Sequence, residues 1–184
     1  MKLGFICEGK TEKKIVESTN FQQFVTSIGH SCIPDIIDAK GNGNLLPESL
    51  SEFTNILLSK GAEKIVVLTD LDEDACITIT KQRISAPQSH IVIISVKKIE
   101  AWFLADDTCM SKICKIQIHF EKPEQEHNPF ETIKSLLLQH TNRGVSDKIL
   151  LAAKVMHNDF SILQAAAHPN CHSAKYLVDR LRNL

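Results

Sequence analysis

Residues 64–69, Lys-Ile-Val-Val-Leu-Thr, constrain this chain's fold more than any other feature of the sequence. The run is β-branched and nearly continuous in apolar side chains, so it reads as a strand covered on both faces, and it ends at once on the acids Asp70 and Asp72. A strand buried on both sides needs helices above and below it, and the flanking sequence supplies them in alternation. Residues 2–7 form a second apolar run that stops at Glu8-Gly9. Thr11 is placed to cap a helix of about four turns, in which Ile15, Phe21, Phe24, Val25 and Ile28 recur at helical spacing and Gly29 supplies a left-handed stop.

The alternation continues. A short strand is expected around 32–37, and Lys-Gly-Asn-Gly-Asn at 40–44 reads as a loop. Pro47 suits a first helical turn, Leu50, Phe53, Leu57 and Leu58 build its apolar face, and Gly61 closes it. Between 73 and 85 isoleucines and threonines alternate, yet the position between two strong strands favours a crossover helix. A buried strand follows at 90–96 and a helix at 99–105, which carries Glu100, Trp102 and Phe103. The expectation is an α/β domain over 1–106 with a parallel sheet and helices on both faces. Residues 107–184 show helical segments at 129–139, 147–157, 159–167 and 172–183 and no strong strand, so they read as a helical extension or cap packed on that domain. Leu177, Val178, Leu181 and Leu184 give the cap an apolar stripe to bury.

Composition narrows the class. With 43% apolar and 23% charged residues the chain is an ordinary globular one, and its net charge of −1 lacks the positive field of a strong non-specific nucleic-acid binder. Phosphate recognition would have to be local. The first apolar run is broken by Glu8, too early for a secretory core or a membrane span, so a cytoplasmic protein with no membrane partner is expected. The six cysteines include no Cys-x-x-Cys pair and read as reduced thiols; a zinc set from Cys109, Cys114, Cys171 and His172 matches no familiar spacing.

In an open parallel sheet, ligands bind beyond the carboxyl ends of the strands. Glu8 ends the first strand, and Asp70 and Asp72 end the strongest one; in extended backbone, side chains two apart point the same way. Three converging carboxylates repel unless protonated or neutralised, and a hard divalent ion, magnesium or manganese, is the usual solution. Gly9 permits close backbone approach, the following helix N-terminus suits a phosphate oxygen, and Lys10, Lys13, Lys97 and Lys98 add positive charge. Each signal has a plainer reading. Glu8-Gly9 is a common turn, and Asp70-Leu71-Asp72 before a helix can cap it. Glu12 and Asp74 are further ligand candidates or acids complementing a helix dipole. Glu100, if buried, needs a partner, either a lysine or the site itself. Lys97 and Lys98 contact phosphate or are solvated charge.

The segments Ile6-Cys7-Glu8-Gly9-Lys10-Thr11-Glu12 and Thr69-Asp70-Leu71-Asp72 resemble the Toprim pattern of Glu-Gly followed by Asp-x-Asp. With Ile99-Glu100-Ala101-Trp102-Phe103-Leu104-Ala105-Asp106 downstream, the chain looks most like small stand-alone Toprim-like proteins of prokaryotic defence neighbourhoods, related to the overcoming-lysogenization-defect nucleases. The resemblance covers about residues 2–106. It implies a Toprim-like sheet of about four parallel strands and magnesium-dependent phosphoryl chemistry, with Glu8, Asp70 and Asp72 as catalytic and metal-binding residues, joined by Glu12, Asp74 or Glu100. It implies no strand passage, because the single tyrosine, Tyr176, lies near the C-terminus.

The expected function is therefore a metal-dependent nuclease or related phosphodiesterase acting on nucleic acid or a nucleotide. One alternative is a non-catalytic module that binds metal or nucleotide beside a partner such as an ATPase. Another is a receiver-like phosphoacceptor, with Asp70 and Lys97 in the acceptor and lysine roles.

Overall fold

The computed structural model describes residues 1–184. Its sheet has five strands, all paired in parallel: β1 (Lys2–Cys7), β2 (Ser31–Cys32), β3 (Ile37–Asp38), β4 (Lys64–Asp70) and β5 (Ile91–Ser95). The order is β2-β1-β4-β5, and β3 also pairs with β1, further along it than β2. The expected short strand at 32–37 is thus two two-residue strands lying end to end on β1, at Lys2–Leu3 and Ile6–Cys7. Pro34 between them has no N–H to give a ladder, which accounts for the interruption. The sheet consequently has five strands instead of about four.

The run at 64–69 is as buried as its sequence requires, every residue from Ile65 to Asp70 being shielded. Leu3, Phe5, Val66, Leu68, Ile91 and Ile93 face one core, and Ile6, Ile65 and Val67 face another. This alternation along β1 and β4 is the period-two geometry of a strand used twice. Gly4 is required where β1 meets the second layer: a Cβ there would lie 2.9 Å from Ala62 Cβ and 3.1 Å from Leu57 Cβ.

Ten helices surround the sheet: α1 (Lys10–Glu17), α2 (Thr19–Ser27), α3 (Pro47–Ser59), α4 (Ile77–Ile84), α5 (Glu100–Ala105), α6 (Asp107–Cys114), α7 (Pro129–Thr141), α8 (Lys148–His157), α9 (Ile162–Ala167) and α10 (His172–Arg182). The expected first helix is two. Ser18 takes extended backbone, ends α1 through its N–H on Ile15 O at 3.1 Å and accepts from Phe21 N at 3.3 Å to start α2. Thr11 does not cap; Gly9 holds that position and Thr11 is buried inside α1. In α3, Leu50 and Leu57 are buried, but Leu58 is 49% exposed, one residue past the buried face. Gly61 ends that helix at φ +90°, a conformation glycine takes without penalty.

Helix α6 has no counterpart in the sequence reading. Asp106 Oδ1 accepts from Cys109 N at 3.0 Å to start it, and Cys109, Met110, Ile113 and Cys114 form its buried face. The two cysteines behave as small apolar side chains. Helices α5 to α10 share the 36-residue core that covers the first face of the sheet, which runs from Leu3 to Leu181. Within it α8 packs on α1, α9 on α5, and α10 on β5. Leu177, Val178 and Leu181 are buried there, with Leu184 packed at the margin. No helix is long and apolar enough to cross a membrane.

Candidate acidic site at the strand ends

Parallel pairing brings the ends of β1, β3, β4 and β5 to one edge, and the loops beyond them open a cleft of about 530 Å³. Glu8 follows β1, Asp38 ends β3, Asp70 ends β4, and Glu12 and Glu100 stand in the first turns of α1 and α5. With Asp72, six carboxylates line the cleft against three lysines, Lys10, Lys40 and Lys148. Gly9, Thr11, Gly41 and Ile149 complete the wall.

The carboxylates are held by one oxygen each. Glu8 Oε2 accepts from Thr69 Oγ1 at 2.5 Å and from Asp70 N at 3.1 Å, which ties the end of β1 to β4. Asp70 Oδ1 accepts from the Ser95 hydroxyl, tying β4 to β5. Glu12 Oε2 accepts from Gly9 N at 3.0 Å. Glu8 Oε1, Asp70 Oδ2 and Glu12 Oε1 accept no hydrogen bond from the protein. Gly9 is in ordinary extended backbone, and its missing side chain makes room, since a Cβ would meet Glu12 Oε2 at 3.3 Å.

Burial makes this arrangement costly without a counter-charge. Glu12 is 5% exposed, Asp70 6% and Glu100 0%. Burial, reinforced by Glu8 and Glu100, pushes the Glu12 carboxyl up to about 7. Burial also raises Asp70 well above the usual carboxylate range, with Glu12, Glu100 and Glu8 adding to it and the Ser95 hydroxyl opposing. Glu100 has a cation, Lys148 Nζ, at 3.1 Å from Oε1 and 3.4 Å from Oε2. Only the Oε2 contact is aligned as a hydrogen bond, and Oε1 is buried without one. The carboxylates of the cleft outnumber its lysines six to three, and the buried ones are costly to keep charged without a counter-charge.

The site departs from its sequence description in several places. Asp72 lines the cleft, but not by strand alternation: it turns into the left-handed region at φ +48°, with its N–H on Lys97 O at 2.9 Å and its Oδ2 3.5 Å from Asn42 Nδ2. Asp74 turns away from the cleft to accept from Thr80 Oγ1 at 2.8 Å and to pair with Arg83 at 3.1 Å. Lys97 and Lys98 do not line the cleft, and Lys97 serves Asp72 through its carbonyl. Asp38, Lys40 and Lys148 were missed: Asp38 lies just past the short strand expected at 32–37, Lys40 opens the loop expected at 40–44, and Lys148 comes from the far end of the chain. Asp147, which caps α8 by accepting from Leu150 N at 2.9 Å, was the only local signal for where Lys148 sits.

The fit to a metal is that of a hydrated ion. No three carboxylates of the cleft bring one oxygen each within 4.8 Å of one another; the trio of acidic, histidine or cysteine side chains that does is Asp107, His119 and His168, elsewhere in the molecule. Magnesium keeps several waters and takes one or two carboxylates directly, which suits spaced carboxylates with one free oxygen each. No family model matches the chain, nor does any curated protein or solved structure.

Proposed function

We propose that the chain is a magnesium- or manganese-dependent nuclease or related phosphodiesterase of the Toprim type, acting in the cytoplasm on nucleic acid or a nucleotide. The observation that carries this reading is the convergence of Glu8, Glu12, Asp70 and Glu100 at the strand ends, three of them buried, with a single lysine contact among the four. Glu8 and Asp70 would hold the cation through Oε1 and Oδ2, the oxygens the protein leaves unbonded. A bound divalent ion would polarise the phosphoryl oxygen and activate water for in-line attack. Thr69, Ser95 and the Asp70 N–H fix the carboxylates, so their free oxygens are aimed before substrate arrives. Lys10, Lys40 and Lys148 at the rim would meet the phosphate diester and limit recognition to a short stretch of backbone, in keeping with a net charge of −1.

Cleavage of single- and double-stranded DNA and RNA and of small diester substrates, with and without manganese, tests the reading. Wild type should cleave at least one substrate class only with metal, and Asp70→Asn should lose that activity by two or more orders of magnitude while keeping its fold. Metal binding without cleavage of any substrate would instead favour a non-catalytic module working beside a partner enzyme.

A further inference from the structure

Outside the cleft, three side chains of the C-terminal half form the tightest ligand cluster in the molecule. Asp107 opens α6, His119 lies in the loop beyond it, and His168 follows α9; one ligand atom of each lies within 4.8 Å of the other two. His119 Nδ1 is 2.6 Å from Asp107 Oδ2, and its ring stacks on that of His168 with centroids 5.6 Å apart at 26°. Two polar atoms here are buried with no partner, His168 Nε2 and Asp107 Oδ1. His168 is 8% exposed, so its unpaired ring nitrogen bears a desolvation cost that nothing in the protein offsets. An orphaned nitrogen and an orphaned carboxylate oxygen in one cluster mark a place for a bound species.

We propose that Asp107, His119 and His168 form a second metal site, for a zinc-type divalent cation, distinct from the carboxylate cleft. Two imidazoles with one carboxylate suit borderline cations such as zinc or cobalt and not magnesium, which prefers oxygen. Tetrahedral zinc with bonds of about 2.0–2.1 Å sets its ligand atoms roughly 3.3 Å apart. Closing the cluster to that spacing takes a turn of the His119 side chain, which is 62% exposed. Metal enters on the exposed side of His119 and Asp107, and three protein ligands leave a fourth position to water. The site has a cost. Asn170 N–H lies 3.1 Å from His168 Nδ1, so in the metal-free chain Nδ1 accepts and Nε2 carries the ring proton. Metal at Nε2 moves that proton to Nδ1 and opens the contact with Asn170. In return the metal fastens the start of α6, the following loop and the end of α9, adding to the Asp107–His119 pair, the His119–His168 stack and the Asn170 Nδ2 contact with Glu121 O at 2.8 Å.

The test uses the full chain, stripped with chelator and titrated with cobalt. Visible bands of tetrahedral cobalt should saturate at about one ion per chain, bleach on adding zinc and persist in excess magnesium; zinc should also raise the melting temperature. His119→Ala, at an exposed ring, should fold normally and lose both effects, and His168→Ala should do the same if it folds. Asp70→Asn should keep both, which separates this site from the cleft. Absence of cobalt binding at micromolar concentrations, or bands that survive His119→Ala, overturns the proposal; an intense near-ultraviolet thiolate transition assigns the metal to cysteine instead and overturns it equally.

Discussion

Glu12 stands 5% exposed among carboxylates, with its carboxyl pushed up to about 7 chiefly by burial. A carboxyl whose folded value lies above its unfolded value of 4.5 binds its proton more tightly in the native state, so stability falls as pH rises from about 4.5 to about 7. The loss from Glu12 amounts to roughly 3 kcal/mol at most. Glu12→Gln should remove this part of the slope, so that urea melts of the metal-free variant at pH 5 and pH 8 differ less than those of wild type. Equal slopes would mean that Glu12 is not the proton reservoir. Lys148 poses the converse case, a half-exposed cation 3.1 Å from the fully buried Glu100. Lys148→Met should cost about 2 kcal/mol by leaving Glu100 uncompensated, and adding Glu100→Gln should recover most of it, as a double-mutant thermal-melt cycle would show. Glu8 and Asp70 were legible in the sequence because each ends an apolar run. Lys148 was not, because it reaches the cleft by the packing of α8 on α1, a contact between distant segments that no local pattern encodes.

Helices and strands follow local rules until a distant side chain takes over an end. The strands at 2–7, 64–69 and 90–96 were legible because a parallel strand buried on both faces leaves an uninterrupted apolar run, and they pair as β1, β4 and β5. The break at Ser18 and the whole of α6 were hidden: one hydroxyl decides the first, and cysteines standing in for aliphatic side chains disguise the second. The start of α10 is a clearer case of long-range control. Glu124, 8% exposed, accepts from His172 N at 2.9 Å and Ser173 N at 2.8 Å, and the Ser173 hydroxyl in turn receives Trp102 Nε1 at 2.7 Å. A carboxylate thus caps α10 from 48 residues away and links it to α5. Glu124→Ala should destabilise by about 1–3 kcal/mol, with early loss of hydrogen-exchange protection in α10. At the sheet, Gly4→Val should cost at least about 1–3 kcal/mol, because the added carbons meet Ala62 and Leu57.

At the scale of the whole molecule, the extension beyond Asp106 shares the core of the α/β half. Helices α8, α9 and α10 cover α1, α5 and β5, and Lys148 and Ile149 of α8 form part of the cleft wall. A chain ending at Asp106 should therefore expose the first face of its sheet, aggregate, and show no cooperative melt by calorimetry; a soluble, sharply melting fragment would show that the halves fold independently. The alternation that builds the sheet and the acids at its edge are written along the chain, but a side chain donated across the core is a property of the packed molecule. The central claim is that the strand-end carboxylates hold a divalent cation, and an anomalous difference map from a manganese-soaked crystal tests it most directly. The account predicts a peak in the cleft with Glu8 Oε1 or Asp70 Oδ2 at about 2.0–2.6 Å, absent from Asp70→Asn crystals soaked alike. A well-ordered cleft without a peak at saturating manganese would contradict it.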